Sequence, residues 1–359
     1  MQIFLTGATG FIGRALSRKR IDRGWQVTAL VRDTRSPQAR ALTELGVKCL
    51  PGDVTDSTSL LTAMQGAELV IHNAGHYEYG VTKAGRERMQ AVNVRGTANV
   101  LDAARQLSVP KTVYVSSVVA YGASGDQPRD ETFIRQTVPN TFYERTKTEA
   151  HDLAVRLQRE GSPIVIVCPN GVIGANDHSA WGYTLRLYLS GLRPPVSWSP
   201  ASVFPLVDVD DVAEGVVLAA ERGRVGESYF LSGEPKSFRE HFELWQLRPG
   251  RFKVRAYLPS PFMAALYAPF EPLQRRLGLP AFASRELVRA AAMSLYYKSD
   301  KAKQELGWHH LGAEEMWLKT IDGELELLKR RKKRDLVSRL RPIDEEHAPR
   351  YRVSERGIS

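Results

Sequence analysis

Short apolar runs punctuate the first half of the chain: Ile3–Thr6, Val27–Val31, Val47–Leu50, Leu69–His72, Thr112–Ser116 and Ile164–Cys168. Between them lie stretches with helical spacing. These predict helices to about Arg23, over Gln38–Leu45, over Ser57–Met64 with Ser57 as N-cap, over Gly85–Leu107 and over Tyr143–Glu160. Strands so uniformly apolar are buried on both faces, which requires a parallel sheet covered by helices on each side. Right-handed crossovers then gather the C-terminal ends of the strands along one edge, where ligands bind. The pattern changes after Cys168. Residues 170–202 are rich in Gly, Pro, Trp and Tyr, and Val203–Val212 predicts a return to the sheet. A helix through Ala220 and a short strand at Tyr229–Ser232 follow. Residues 235–325 read as helices interrupted by prolines.

The expected fold is α/β: a Rossmann-type doubly wound parallel sheet with a smaller, discontinuous, mostly helical substrate lobe. Residues 1–168, with a return segment at about 203–232, form the dinucleotide-binding domain in this reading. Residues 169–202 and 233–328 form the lobe, and 329–359 a basic tail. The glycine spacing Thr6-Gly7-Ala8-Thr9-Gly10-Phe11-Ile12-Gly13, between the first strand and the first helix, supplies the reason for a dinucleotide. Gly7 permits a tight turn, Gly10 lets backbone approach a pyrophosphate, and Gly13 lets the helix pack close on the sheet. The anion then meets free amides at the positive helix end.

Composition adds bounds. The chain has 359 residues, 43% of them hydrophobic, enough for a sizeable core, and no apolar run approaches a membrane span. A strand starting at Gln2 leaves no room for a signal or transit peptide. Cys49 and Cys168 fall in strand-like segments and read as buried thiols in a reducing cytosol, so a cytoplasmic location is expected, with no metal site. The net charge of +10 is uneven. Lys329–Ser359 holds eleven Lys/Arg against five Asp/Glu and so supplies six of the ten. That tail could meet an anionic surface or simply be a solvated helix end, and no nucleic-acid motif accompanies it.

A second constellation lies downstream. Tyr143-Glu144-Arg145-Thr146-Lys147 places Tyr143 and Lys147 one helical turn apart, and Ser116-Ser117 ends a strand at the ligand edge. Tyrosine can move a proton to or from a carbonyl oxygen, a lysine cation can lower the phenol pKa, and a serine hydroxyl can orient the substrate oxygen.

Taken in order, these motifs resemble the extended, atypical short-chain dehydrogenase/reductases of the epimerase/dehydratase superfamily over about residues 1–325. Within that group they are similar to the dihydroflavonol-reductase and 3β-hydroxysteroid-dehydrogenase branch. Val31-Arg32-Asp33, Gly226–Gly233, Ser299-Asp300-Lys301-Ala302 and Glu305-Leu306-Gly307-Trp308 carry the branch likeness. The resemblance implies an NAD(P)-dependent enzyme with Ser117, Tyr143 and Lys147 catalytic and Asn93 completing a proton relay. It implies cofactor contacts from Thr6, Gly7, Thr9, Gly10, Phe11, Ile12 and Gly13. Further contacts are expected from Arg32, Asp53, Val54, Asn73, Ala74, Gly75, Tyr143, Lys147, Pro169, Asn170 and Val172. Val207–Ala213 resembles a strand-helix junction in which Asp210-Asp211 reads as a structural pair, with a carboxylate capping the helix start rather than a metal site.

Arg32 stands where an acidic residue would bind the ribose of NAD, so its guanidinium is expected to pair with the 2′-phosphate of NADP; Asp33 keeps NAD open. Sugar-nucleotide epimerases usually carry an Arg-Asp-aromatic segment where this chain has Ala201-Ser202-Val203-Phe204-Pro205. The leading reading is therefore an NADP-dependent carbonyl reductase or alcohol dehydrogenase for a moderately large apolar or aromatic small molecule. A sugar-nucleotide epimerase or dehydratase, or a non-catalytic NADP-sensing protein, are the alternatives. His76, Tyr77, Tyr79, Trp181 and Tyr183 are candidate substrate residues. The apolar positions Phe262, Met263, Leu266, Tyr267 and Phe270 fit a lobe core or, with Arg275-Arg276, a weak membrane-surface contact. Monomer and homodimer both fit.

Overall fold

A computed structural model of the chain describes residues 1–248, 253–276 and 284–330. The strands are β1 (Gln2–Thr6), β2 (Gln26–Val31), β3 (Lys48–Pro51), β4 (Leu69–His72), β5 (Thr112–Val115), β6 (Ile164–Pro169), β7 (Val172–Ile173), β8 (Val196–Ser197), β9 (Val207–Asp208), β10 (Ser228–Leu231) and β11 (Ala256–Tyr257). The helices are α1 (Phe11–Arg23), α2 (Pro37–Glu44), α3 (Ser57–Met64), α4 (Lys83–Met89), α5 (Gly96–Gln106), α6 (Phe142–Arg159), α7 (Ala180–Leu189), α8 (Val209–Arg222), α9 (Phe238–Leu244), α10 (Ser260–Tyr267), α11 (Phe270–Arg276), α12 (Arg285–Ala291) and α13 (Ala313–Arg330).

Seven strands form one parallel sheet in the order β10-β6-β5-β4-β1-β2-β3. Chain order reverses direction between β1 and β4, and loops leaving that point diverge to open a crevice at the strand C-terminal ends. The uniform apolarity has the predicted cause: β4, β5 and β6 are buried along their whole lengths. One core layer joins β1, β2, β4–β6 and β10 to α1 and α8; another lies against α3 and α5.

The glycine turn is built by exclusion. Gly7 has φ +71°, and a Cβ there would lie 2.7 Å from the amide nitrogen of Ala74. A Cβ on Gly13 would sit 2.0 Å from the Gly7 carbonyl oxygen, so α1 reaches the turn only as a bare backbone.

Several sequence expectations change. Val203–Val212 does not re-enter the main sheet: β9 pairs with β7 in a separate two-stranded ribbon, and β10 alone fills the edge beside β6. The predicted helix over Gly85–Leu107 is continuous, but a π turn at Gln90–Arg95 interrupts it between α4 and α5. The cap of α3 is Asp56, not Ser57, and Asp208 rather than Asp210 or Asp211 caps α8, accepting from the Asp210 amide at 2.9 Å. Asp210 instead pairs with Arg18 and Lys319, and Asp211 accepts from the Leu311 amide. Cys168 is buried, whereas Cys49 is only partly covered. No helix among the described residues is long and apolar enough to cross a membrane. Most of the basic tail, from Arg331 on, lies outside the described residues.

The second lobe packs α7, α9 and α13 around an aromatic core containing Trp245 and Trp317. A fully buried ion pair locks it: Arg186 of α7 donates to Glu324 of α13 at 2.9 Å and to the Asp177 carbonyl at 2.8 Å. Removing one partner of such a pair strands the other charge. Glu324→Ala is therefore expected to destabilise the fold by about 3–5 kcal/mol in urea unfolding, and pairing it with Arg186→Met to recover most of the loss. Additive losses in the double variant would refute the coupling.

Candidate active site

The strand-order reversal opens into one cavity of about 1010 Å³. It begins at Gly7, Thr9, Gly10, Phe11 and Ile12, passes Arg32, Asp53, Val54 and Asn73–Gly75, and reaches Ser117, Tyr143, Pro169, Asn170 and Val172. It then continues between apolar side chains of the lobe, among them Trp198, Phe204, Met263 and Leu287. Most candidate cofactor and catalytic positions thus share one continuous space.

Thr6 and Gly13 do not line it. The Thr6 side chain is buried, with its hydroxyl oxygen accepting from the Ala74 amide and 2.8 Å from His72 Nδ1; Gly13 serves helix packing. Behind the turn the polar groups form a chain. Thr97 Oγ1 donates its one proton to the Asn93 carbonyl at 2.7 Å, so His72 Nε2, 2.9 Å away, must be the donor to Thr97. Nδ1 is then the acceptor for Thr6. Burial holds His72 down to about 3, with Lys147 adding to the effect, so the ring stays neutral. Sequence reading missed His72 because it closes an apolar strand and looks like core.

Asn93 sits in the π turn, which tilts its side chain inward. Its Oδ1 accepts from the His76 amide at 2.7 Å, and its Nδ2 donates to the His76 carbonyl at 2.9 Å and to Thr146 Oγ1 at 3.0 Å. Both Nδ2 protons and one lone pair of Oδ1 are engaged with protein, so Asn93 clamps the His76 loop to α6. His76, Tyr77 and Tyr79 line the cavity. The rings of Tyr77 and Tyr79 meet Tyr143 edge-on, at 4.9 and 6.0 Å. Trp181 lines the cavity as well as packing in the lobe core. Tyr183 does not: it is buried on α7 under the guanidinium of Arg186, 4.6 Å away.

Tyr143 and Lys147 occupy successive turns of α6, capped by Thr141, and Ser117 caps the short turn after β5. Burial pushes the Tyr143 phenol up to about 12; the Ser117 hydroxyl moderates the rise and Glu144 adds to it. Lys147 is not among the groups that set this value, contrary to the expectation from sequence. Its Nζ instead donates to the Val115 carbonyl at 3.3 Å, and burial holds the ammonium down to about 8.

Arg32 is exposed at the cavity margin, and no carboxylate of the described residues is paired to it. Asp33 turns away, accepting from the Arg35 amide at 2.9 Å. Asp53 Oδ1 accepts from the Thr55 amide and hydroxyl, and Gly52–Val54 form one wall. The described residues contain no cluster of His, Cys, Asp and Glu able to hold a metal.

The parallel sheet, with its crevice at the strand-order reversal, agrees with what known proteins show. The description "NAD dependent epimerase/dehydratase family" matches residues 3–231. The chain belongs to this family. It is an NAD(P)-dependent enzyme of the extended short-chain dehydrogenase/reductase branch. A protein of Synechocystis sp., provisionally named dihydroflavonol 4-reductase, is 33% identical over 85% of this chain and 89% of its own length. A Stigmatella aurantiaca protein is named 4-hydroxy-2-methyl-3-oxo-4-farnesyl-3,4-dihydroquinoline-1-oxide ketoreductase. It is 32% identical over 86% of this chain and 92% of its own. The crystal structure of gox2253 superposes with TM-score 0.74 at 31% identity, covering 92% of this chain and 99% of that one. The fold is thus shared along nearly the whole chain.

Holding the Lys147 ammonium in the fold costs stability. Its pKa is lowered on folding, so the penalty is full below pH 8 and fades as pH rises from there toward the unfolded value near 10.5. Without added cofactor, Lys147→Met is expected to raise stability at pH 7 by about 1–3 kcal/mol, the lost bond to Val115 offsetting part of the gain. Urea titrations at pH 7 and pH 9.5 check it: a gain that does not shrink at the higher pH refutes the strained cation.

Proposed function

We propose that this protein is an NADP-dependent carbonyl reductase or alcohol dehydrogenase acting on a moderately large apolar or aromatic ketone or alcohol. The observation that carries the reading is the continuity of one cavity from the glycine turn, past Tyr143 and Ser117, into the apolar interior of the second lobe. The residues fit a dinucleotide. The turn offers free amides at the start of α1, Gly52–Val54 and Asn73–Gly75 form walls for adenine and ribose, and Pro169–Val172 borders the nicotinamide end. When bound, NADPH supplies hydride to the carbonyl carbon.

The chain's own groups do the rest. Tyr143 gives its phenolic proton to the carbonyl oxygen as hydride arrives, and Ser117 donates a hydrogen bond to that oxygen. Lys147, freed from Val115, would hold the nicotinamide ribose; its positive charge, brought toward the phenol, would lower a pKa that burial, with Glu144 adding to it, pushes up to about 12. Asn93 holds the His76 loop and α6 in register, which fixes Tyr143 relative to the glycine turn. Arg32 pairs with the 2′-phosphate; Asp33, engaged with the Arg35 amide, offers poor competition for a ribose diol. The apolar wall favours a substrate body that gives up water without losing hydrogen bonds.

Tyr143→Phe is expected to lower kcat by about a hundredfold or more while leaving NADPH affinity within about threefold. Arg32→Ala is expected to weaken NADPH about tenfold and leave NADH unchanged. Stopped-flow turnover on a ketone panel and cofactor titration check both. NAD that stays bound through purification and does not exchange would instead favour an epimerase or dehydratase.

A further inference from the structure

The two buried arginines of the second lobe stand in contrast. Arg186 is fully paired with Glu324. Arg193, 7% exposed, lines the cavity with no carboxylate of the described residues within ion-pair distance. Its recorded hydrogen bond is a long one of 3.5 Å, from Nη1 to the Pro194 carbonyl. The guanidinium lies 4.3 Å from the ring centre of Phe242 and 5.9 Å from that of Trp245. Aromatic stacking satisfies the faces of a guanidinium but leaves its N–H edge unpaired. Burial lowers Arg193 to about 10, so it is still a cation at neutral pH.

Among the described residues, the carboxylates on the cavity wall are Asp53 and Asp177, and both are already engaged, Asp53 by Thr55 and Asp177 by Ser179 and Gly182. Buried polar groups in native proteins are normally satisfied, so the unpaired guanidinium edge at this cavity awaits an acceptor.

We infer that the substrate is an amphipathic organic anion, whose carboxylate or phosphate head is bound by Arg193 while its apolar body runs along the cavity wall. The inference rests on the reductase reading only in taking this cavity as the substrate's. A bidentate guanidinium contact suits a planar carboxylate or a phosphate monoester equally. It gives the site a reason to hold a cation in an otherwise apolar lobe, since a charged head repays the desolvation that an uncharged chain end would leave standing.

The test uses unreactive ligands, so that it does not depend on catalysis. Affinities of decanoate, decyl phosphate and decan-1-ol for the full chain are measured by titration calorimetry with NADPH present, so that a ligand seated on the phosphate-binding turn is displaced. Decanoate or decyl phosphate is expected to bind at least about tenfold tighter than decanol, and the tighter of the two identifies the head group. Arg193→Met collapses that difference, and Arg193→Lys keeps part of it. Should Arg193→Met not fold, Arg193→Gln, which removes the charge and keeps a polar head, is expected to cut the anion preference severalfold. Equal affinity for decanol and both anions in the wild type, or an undiminished preference in Arg193→Met, overturns the inference. Tyr143→Phe separates the two proposals: it removes turnover and leaves the anion preference intact, whereas a protein that reduces no ketone yet discriminates decanoate from decanol fails the reductase reading alone.

Discussion

Everything at the site depends on how closely the glycine turn is pressed against the sheet. With 2.0 Å between a virtual Cβ on Gly13 and the Gly7 carbonyl, the turn has no slack. What holds it is the buried chain from Thr6 through His72 and Thr97 to the Asn93 carbonyl, which continues from the Asn93 side chain to Thr146 on α6. The glycine turn and α6, far apart in sequence, are therefore tied by one run of neutral hydrogen bonds. Neutrality matters. A protonated imidazole would have no lone pair at Nδ1 for Thr6, and burial keeps that proton off far below physiological pH. The π turn belongs to the same design, because a regular helix over Gln90–Arg95 would rotate Asn93 away from either His76 or Thr146.

The same economy explains the resting state of the catalytic pair. Tyr143 and Lys147 are both buried, and burial moves their pKa values toward the neutral form of each. With Nζ held at Val115, the pair is not yet an acid-base couple. It becomes one when the lysine charge is drawn toward the phenol, an event that the proposed reaction links to ribose binding.

Much of the first 168 residues was legible because the sheet's physics is written in local pattern. Buried parallel strands need unbroken apolar runs, and a dinucleotide turn needs glycine at fixed spacing. What escaped reading depends on tertiary partners. Val203–Val212 looks like a sheet strand, yet β10 takes the edge beside β6 and leaves β9 to pair with β7. Ser57 and Asp56 are both good caps, and only the backbone decides that Asp56 reaches the Thr58 amide. Tyr183 and Trp181 are two residues apart on α7, so one faces the core and the other also reaches the cavity. Arg193 carries no sequence signal at all. In a chain with 50 Lys/Arg, an arginine before a Pro-Pro pair reads as surface loop.

The cavity's chemistry follows from a division of charge between the two lobes. At the glycine turn the positive field comes from backbone amides, which cannot be neutralised by a neighbouring carboxylate and which suit a pyrophosphate whatever else is bound. In the second lobe it comes from one side chain, Arg193, surrounded by aromatic rings. A guanidinium among aromatic faces is weakly hydrated and rigid, so little ordering remains when an anion arrives. An uncharged ligand would fill the apolar wall but leave that cation unsatisfied, a larger penalty than a lost apolar contact. Discrimination therefore arises less from the apolar surface, which accepts many bodies, than from the cost of leaving Arg193 without a partner.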